Sequence, residues 1–178
     1  MTRRIAVYPG SFDPIHNGHL DLIERCLPSF DEVVVAVLRN EQKRPLFSVE
    51  ERLATIRELV AGWPSVRVES FSGLLVDFMD RAGARIVVRG LRAVSDYESE
   101  LQMALMNRRL NPRVETMFMV PREEYSYLSS RLIKEVFHLG GDLDGLAPPE
   151  VLARLEARLG QAAEVSAQPP LATQEGGR

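Results

Sequence analysis

The chain has 178 residues, of which 45% are hydrophobic, and this is enough for one domain with a sizeable core. Its 22 basic and 25 acidic residues give a net charge of -3, without the basic excess of a dedicated nucleic-acid-binding protein, so we expect a small-molecule partner. No apolar run approaches the ~20 residues of a membrane span, and the first residues lack the apolar stretch of a signal peptide. We therefore expect a cytoplasmic protein that does not bind a membrane.

Five apolar runs predict β-strands, at residues 5–8, 33–38, 66–68, 86–88 and 114–120. The second run is continuous, which is typical of a strand covered on both faces, whereas the third alternates and predicts an edge strand. Helical stretches separate the runs. This order predicts a single doubly wound, Rossmann-like α/β domain, with a five-stranded parallel sheet and helices on both faces.

Capping signals predict the first residues of two helices. Ser48 and Ser95 each stand three residues before a glutamate, the spacing of a capping box, and predict helices over residues 48–61 and 95–110. The second of these helices carries two apolar stripes on nearly opposite sides. The stripes are Tyr97, Leu101, Ala104 and Leu105 on one side and Met103, Met106 and Leu110 on the other. One stripe covers the sheet, and the other packs either within the chain or on another subunit.

The C-terminal part is predicted to change from helix to tail. A helix over residues 149–159 follows two prolines, and Gly160 is placed to stop it. Residues 161–178 are rich in Ala, Gln, Pro and Gly, so we expect a disordered tail after a domain spanning residues 1–160.

Polar and charged residues follow four of the five predicted strands. Ligands of open α/β sheets bind outside the carboxyl ends of the strands, so these segments are expected to share one cleft. They are residues 10–19 with His16 and His19, residues 40–44 with Lys43, residues 89–92 with Arg89 and Arg92, and residues 125–131 with Ser129 and Ser130. Two histidines, several cations and a hydroxyl-rich helix start together favour an anionic ligand.

The residue types in this cleft exclude several catalytic systems. The sequence has no G-x-S-x-G nucleophile elbow, no Walker A loop and no G-x-G-x-x-G turn. What remains is phosphoryl or nucleotidyl transfer by positioning and electrostatics, in which the substrate supplies the attacking group. We expect His19 to act as a neutral hydrogen-bond donor, because a helix N-terminus disfavours the imidazolium. A histidine at such a place is also often a cap or a surface residue.

Other cleft residues keep two interpretations each. Ser129 and Ser130 fit ordinary N-capping as well as an anion site, and Tyr125 and Tyr127 fit core packing as well as the flanks of an adenine.

Lys43 and Lys134 are the only lysines in a chain that otherwise uses arginine. Both stand beside cleft segments, either by chance or because a compact point charge is needed there.

The cleft segments resemble a known family. The run from Tyr8 to His19, ending in His16-Asn17-Gly18-His19, is similar to the T/H-x-G-H motif of the nucleotidyltransferase superfamily, in the form found in bacterial phosphopantetheine adenylyltransferases. The similarity continues through residues 43–45, 71–75, 89–98 and 125–130, and covers roughly residues 4–159 in order. The Arg-Gly-Leu-Arg segment with the acidic helix after it is more specific than the histidine motif.

The resemblance implies a nucleotidyltransferase domain over residues 1–160. Its members transfer the adenylyl group of ATP to 4'-phosphopantetheine, giving dephospho-coenzyme A and pyrophosphate, the penultimate step of coenzyme A biosynthesis. Mg²⁺ is expected to arrive mainly with ATP, without a dedicated set of protein ligands. The resemblance also implies a homo-oligomer of hexamer size and feedback inhibition by coenzyme A.

The resemblance also assigns site residues by matching positions. His19 would stabilise the pentacovalent α-phosphate, and Ser11 would touch both substrates. The phosphopantetheine site would contain Ser11, Lys43, Leu75 and Arg89. The ATP site would contain Ser11, Phe12, His19, Gly90, Leu91, Arg92, Glu100, Tyr125, Ser126, Tyr127, Leu128, Ser129, Ser130 and Arg131. His16 stands where this family more often has threonine, and Arg131 stands where a small or hydroxyl residue is common.

Two other functions fit the sequence. One is a sister nucleotidyltransferase that uses CTP with an alcohol phosphate, or ATP with nicotinamide mononucleotide. The other is a nucleotide-binding regulator without turnover, since motifs do not report catalysis. Pyrophosphate release with a panel of phosphorylated acceptors separates these functions from the first.

Overall fold

Strands and helices alternate along the part of the chain that the structure describes. A computed structural model describes residues 3–39, 45–92 and 94–166, with side chains throughout these ranges except at 94–95 and 160–166. The elements in chain order are β1 (Ile5–Gly10), α1 (Asn17–Cys26), β2 (Glu32–Leu38), α2 (Val49–Leu59), β3 (Val66–Phe71), α3 (Leu75–Ala82), β4 (Ile86–Gly90), α4 (Val94–Leu110), β5 (Glu115–Met119), α5 (Ser130–His138) and α6 (Pro149–Ser166).

The sheet has five parallel strands in the order β3-β2-β1-β4-β5. All five predicted strands are confirmed, with the alternating strand β3 at an edge. In the centre, Val7 of β1 lies opposite Val34 of β2 and Val87 of β4. The strand order reverses between β1 and β4, and such a reversal opens a crevice outside the carboxyl ends of the two strands.

Helices cover both faces of the sheet, as the doubly wound prediction requires. Because strand side chains alternate, Val33 and Val35 of β2 join the core under α1, α2, α5 and α6, whereas Val34 and Ala36 join a second core that α3 covers. All four side chains are fully buried. The continuous apolar run in β2 is therefore the consequence of burial on two faces.

The helix starts are partly as predicted. The Ser48 hydroxyl accepts a hydrogen bond from the Glu51 N–H at 3.1 Å, and the Glu51 carboxylate accepts one from the Ser48 N–H at 2.7 Å, which confirms the capping box of α2. The prediction for Ser95 is corrected, because α4 begins at Val94 and places Ser95 inside the helix. The first-turn amides of a helix have no intrahelical acceptor, so a start can shift by one residue at little cost.

The C-terminal helix is longer than predicted. Helix α6 continues through Gly160 to Ser166, so the helix end expected at residue 159 is corrected. A glycine inside a helix costs about 1 kcal/mol relative to alanine, and the good helix formers Gln161, Ala162 and Ala163 follow it directly. Residues 167–178 lie outside the described residues, and the domain boundary at residue 160 stays a prediction.

Candidate functional site: two cavities at the carboxyl ends of β1 and β4

The loop after β1 is held by aromatic packing. Phe12 has a φ of 47°, in the left-handed region that costs a non-glycine residue on the order of 1 kcal/mol or more. Its buried ring packs edge-on against Tyr8 at 5.4 Å and against His19 at 5.0 Å between centroids. Gly10 allows this placement, since a Cβ there would lie 2.8 Å from the Phe12 ring. The loop therefore has one well-determined shape.

The two histidines of the motif stack on each other at the start of α1. Their ring centroids are 3.7 Å apart, and His16 occupies the N-cap position. The backbone N–H of His16 donates to Nδ1 of His19 at 3.2 Å. Because Nδ1 accepts this bond, the proton of a neutral His19 lies on Nε2. The fold thus selects the tautomer that offers Nε2–H as a donor.

Both histidines are neutral at physiological pH. Burial, with a smaller contribution from the charge of Arg92, lowers the pKa of His16 to about 3. Burial also lowers the pKa of His19 well below its usual range, with smaller contributions from His16, Arg92 and Arg89. His19 is therefore neutral mainly because of its burial, and the helix N-terminus is not the main cause expected from the sequence.

A cavity of about 290 Å³ opens over this pair and is called here the histidine cavity. It is lined by Tyr8, Pro9, Gly10, Ser11, Phe12, His16, Gly18, His19, Leu22, Arg89, Gly90, Arg92, Asp96, Glu100, Pro121, Tyr125, Ser129 and Ser130. Both ring nitrogens of His16 are buried and have no hydrogen-bond partner among the described residues. Buried polar atoms are nearly always paired, so these nitrogens fit a cavity whose ligand brings polar atoms.

Two arginines at the carboxyl end of β4, Arg89 within the strand and Arg92 just after it, face the cavity while paired with carboxylates. Arg89 donates from Nε to Glu100 Oε2 at 2.7 Å, and from Nη1 to the carbonyl of Pro9 at 2.6 Å. Arg92 donates from Nε to Asp96 at 2.9 Å. Burial lowers the pKa of Arg89, but the hydrogen bond and charge of Glu100 outweigh it and raise that pKa overall. Arg89 therefore remains a cation at the cavity wall.

A second, larger cavity of about 800 Å³ is called here the apolar cavity. It is lined by Pro9, Gly10, Ser11, Asp13, Leu38, Pro45, Arg52, Phe71, Gly73, Leu74, Leu75, Arg89, Glu100, Met103, Ala104, Met106, Asn107, Leu110, Thr116, Ser130, Arg131 and Lys134. It includes the stripe Met103, Met106 and Leu110 of α4, which thus lines a cavity of its own chain. The two cavities share Pro9, Gly10, Ser11, Arg89, Glu100 and Ser130.

The structure brings most of the predicted site residues together at these cavities. In the histidine cavity lie Ser11, Phe12, His19, Arg89, Gly90, Arg92, Glu100, Tyr125, Ser129 and Ser130. In the apolar cavity lie Ser11, Leu75, Arg89, Glu100, Ser130 and Arg131. Lys43 lies outside the described residues. Four residues assigned to ATP line neither cavity, namely Leu91, Ser126, Tyr127 and Leu128, and their assignment stays a prediction.

Three of the four outlying residues have structural partners, and the first of them, Leu91, donates its backbone N–H to the carbonyl of Met119 at 2.9 Å. Leu128 is fully buried in the core, and its carbonyl accepts a hydrogen bond from Arg92 at 2.7 Å. The Ser126 hydroxyl donates to the carbonyl of Glu123, while Tyr127 is 59% exposed. Only Tyr125 of the two tyrosines therefore reaches a cavity wall. Ser129 is also a plain N-cap, accepting from the Leu132 N–H at 3.0 Å.

A group of buried charges that the sequence did not reveal supports the loop after β1. The Asp13 carboxylate accepts from the amides of Leu46 and Phe47 and from Lys134 Nζ, each at 2.9 Å. Burial raises the pKa of Asp13, but these three donors lower it overall. Arg52 is buried and donates to the carbonyl of Ser11 at 2.6 Å. Only Lys134 gave a sequence signal, as one of two lysines.

Two features are absent from the residues that the structure describes. None of the helices there is long and apolar enough to cross a membrane. No three or more His, Cys, Asp or Glu side chains gather there in a way that could hold a metal ion.

Known proteins are similar to this chain over most of its length. Residues 7–136 match the cytidylyltransferase-like family. A phosphopantetheine adenylyltransferase from Heliobacterium modesticaldum is 57% identical over 156 residues, covering 88% of this chain and 93% of the relative. Another from Syntrophotalea carbinolica is 54% identical over 165 residues, covering 93% and 99%.

A solved structure shows the same fold. It is a candidate nicotinate-nucleotide adenylyltransferase from Vibrio parahaemolyticus, with a TM-score of 0.65 at 18% identity, covering 86% of this chain and 99% of that one. The predicted Rossmann-like fold is thus confirmed. With the family match over most of its length, the chain belongs to the phosphopantetheine adenylyltransferase family of cytidylyltransferase-like proteins.

Proposed function

We propose that this chain is a nucleotidyltransferase that moves the adenylyl group of ATP to 4'-phosphopantetheine. The products are dephospho-coenzyme A and pyrophosphate, in the penultimate step of coenzyme A biosynthesis. The observation that carries the proposal is the pair of cavities that share one rim. The rim consists of the six residues that line both cavities, namely Pro9, Gly10, Ser11, Arg89, Glu100 and Ser130. One is small and contains two neutral imidazoles, and the other is large with an apolar wall. A nucleotide and an acceptor with a long flexible arm fit such a pair.

The reaction joins two phosphates at the shared rim. An oxygen of the acceptor phosphate attacks the α-phosphorus of ATP, a new P–O–P bridge forms, and the bond to the β-phosphate oxygen breaks. Pyrophosphate leaves with that electron pair. No protein nucleophile is needed, so the chain contributes positioning and the stabilisation of charge on the α-phosphate.

His19 is the residue we assign to that charge. Its Nδ1 is occupied by the His16 N–H, so its Nε2–H is the donor available to a phosphate oxygen. The buried His16, whose ring nitrogens lack a partner among the described residues, is a second phosphate ligand in the proposal. Donors fixed in a low-dielectric site are worth more than in water, because they need no reorganisation during the reaction.

The acceptor would lie across the rim into the apolar cavity. Its phosphate would meet Arg89, and its arm would lie along Leu74, Leu75 and the methionines of α4. Leu74, Met103 and Met106 are each more than half exposed in the free chain. Covering them with an apolar arm would gain ~25 cal/mol for each Å² removed from water.

Mg²⁺ would enter with the triphosphate and be held mainly by phosphate oxygens and water. The carboxylates that face the histidine cavity, Asp96 and Glu100, are paired with Arg92 and Arg89. The ion would neutralise phosphate charge there.

The remaining expectations concern assembly, control and location. A hexamer is supported by exposed apolar residues on α4, on β5 and directly after β5, namely Tyr97, Leu105, Met117 and Val120. Coenzyme A resembles the product and would compete for the two cavities as a feedback inhibitor. A cytoplasmic location accords with this metabolic step.

The function is tested with a panel of acceptors. The protein is incubated with ATP, Mg²⁺ and either phosphopantetheine, nicotinamide mononucleotide or an alcohol phosphate, and pyrophosphate release is followed. CTP replaces ATP in a parallel series. We expect substantial turnover with ATP and phosphopantetheine alone. Turnover with another pair, or none with any pair, would contradict the proposal.

A further inference from the structure

Helix α1 carries a buried carboxylate two residues beyond His19. The side chain of Asp21 is 2% exposed. Its Oδ2 accepts a hydrogen bond from the backbone N–H of Arg122 at 3.1 Å. Its Oδ1 lies 2.9 Å from Arg122 Nε, an ion pair without hydrogen-bond geometry. One aspartate on α1 thus holds both the backbone and the side chain of a residue after β5.

A second residue on the same helix strengthens this contact. Arg25, one turn after Asp21, donates from Nη1 to the carbonyl of Val120 at 2.8 Å and lies 3.3 Å from Asp21 Oδ2. Together Asp21, Arg25 and Arg122 form what we call the α1 clamp. The clamp fixes residues 120–122 at two backbone atoms, one amide and one carbonyl.

The clamped segment leads into a wall of the histidine cavity. Pro121 and Tyr125 line that cavity, and the Tyr125 N–H donates to the carbonyl of Arg122 at 2.9 Å. Tyr125 also packs on α1 itself, since a Cβ on Gly18 would lie 3.2 Å from the Tyr125 Cβ. Because α1 also carries His16 and His19, the clamp sets the distance between this wall and the two imidazoles.

Stability alone is a weak explanation for the clamp. The side chains of Arg25 and Arg122 are 42% and 58% exposed, and ion pairs with exposed partners contribute little. Burying the Asp21 carboxylate costs desolvation that such partners offset only in part. The main effect of the clamp is on geometry, because it attaches two sides of the histidine cavity to a single rigid helix.

We infer that Asp21 is a positioning residue for the nucleotide, which holds Pro121 and Tyr125 at a fixed distance from the histidine pair. The inference rests on the proposed function in taking ATP as the occupant of the histidine cavity. The acceptor side is unaffected, because neither Asp21 nor its partners line the apolar cavity.

The test is the Asp21→Ala variant of the full chain. ATP affinity is measured by calorimetry without acceptor, and the KM values for ATP and phosphopantetheine are measured separately. A 1 Å misplacement of a bound substrate can lower the reaction rate about a hundredfold. For a loosened cavity wall we expect a smaller effect, an increase of about tenfold in the Kd and KM of ATP. The KM of phosphopantetheine should not change.

A matched control is Glu32→Gln. Glu32 is also a carboxylate with an almost fully buried side chain that bridges two arginines, Arg3 at 3.2 Å and Arg67 at 2.7 Å. It lies at the start of β2, away from both cavities. We expect it to lower the melting temperature and to leave ATP affinity unchanged.

If Asp21→Ala does not fold, a second variant tests the inference. Arg25→Met changes a side chain that is 42% exposed and removes the bond to Val120, so the fold should persist. We expect a smaller loss of ATP affinity in the same direction. An unchanged Kd for ATP in whichever of Asp21→Ala and Arg25→Met is folded would overturn the inference. An equal loss of ATP affinity in Glu32→Gln would also overturn it. Because the calorimetry needs no acceptor, a failure of the proposed acceptor chemistry would be seen separately.

Discussion

The two cavities share a rim but are built in different ways. The histidine cavity is walled by buried or paired polar groups: His16 is 3% exposed, and Arg89 is held by Glu100 and the Pro9 carbonyl. The apolar cavity is walled in part by side chains that remain open to water, such as Met103 at 56% exposure. Charge stabilisation needs groups that are fixed before the substrate arrives, whereas binding of a long arm needs mainly area. In the proposed function, the reaction therefore takes place on the side of the histidine cavity, and the apolar cavity contributes affinity for the acceptor.

The largest effect is expected from His19→Ala, which removes the proposed donor from the histidine cavity. Loss of one preorganised donor costs ~3 kcal/mol, so turnover should fall about a hundredfold or more, with ATP binding largely retained. Steady-state kinetics and calorimetry check this. His138→Ala is the control, because this third histidine is exposed at the end of α5 and lines neither cavity. Unchanged turnover in His19→Ala would remove His19 from the mechanism.

Arg89→Ala acts at the rim, where the two cavities meet. Hydrogen bonds to a charged group contribute ~1.5–3 kcal/mol, so the affinity for phosphopantetheine should fall roughly tenfold to a hundredfold. The affinity for ATP should change less. Arg113→Ala is the control, since Arg113 pairs with the exposed Asp80 and lines neither cavity. Calorimetry that finds an unaltered acceptor affinity in Arg89→Ala would contradict the assignment.

Met103→Ser tests the apolar side. The side chain is more than half exposed in the free chain, so the variant should fold normally. Losing its burial by the acceptor arm should cost about 1 kcal/mol, or roughly a fivefold increase in the KM of phosphopantetheine. Leu139→Ser serves as the control, because Leu139 is exposed elsewhere. A larger increase in the KM of ATP than in the KM of phosphopantetheine would contradict the assignment of the apolar cavity to the acceptor.

The smallest effect concerns the pH dependence of stability. Burial lowers the pKa of His16 from 6.5 to about 3, so below pH 6.5 the unfolded chain binds a proton that the folded chain does not. Stability should therefore fall as pH decreases through that window, by about 1 kcal/mol between pH 6.5 and 5.5 from this residue. In His16→Thr this contribution disappears and the slope becomes shallower. Denaturant unfolding at both pH values measures it, and parallel slopes would show that His16 is not held neutral by the fold.

Much of the fold could be predicted from local pattern. The apolar runs identified all five strands, and the alternation in residues 66–69 identified an edge, because burial on one or two faces leaves a direct trace in the sequence. The two errors at helix ends had local causes. Residues near Ser95 and Gly160 permit more than one helix boundary, and the energy differences between them are small.

The site was predictable where it lies in continuous segments after the strands. The segments with His19, Arg89 and Ser130 do meet at one sheet edge, as the parallel order requires. Asp13, Arg52 and Asp21 were missed, since a buried carboxylate or guanidinium has no distinctive spacing. Their roles depend on partners that lie far away in the chain, as Lys134 does for Asp13.

Local sequence pattern was thus sufficient to infer the parallel sheet, the order of its elements and the loop that carries the two histidines, because each depends on neighbouring residues or on a fixed period. The folded molecule was needed to establish the tautomer and neutral state of His19, the pairing of Arg89 with Glu100, and the side of α4 that lines a cavity. These properties depend on desolvation and on contacts between distant residues. Both exist only once the chain has folded.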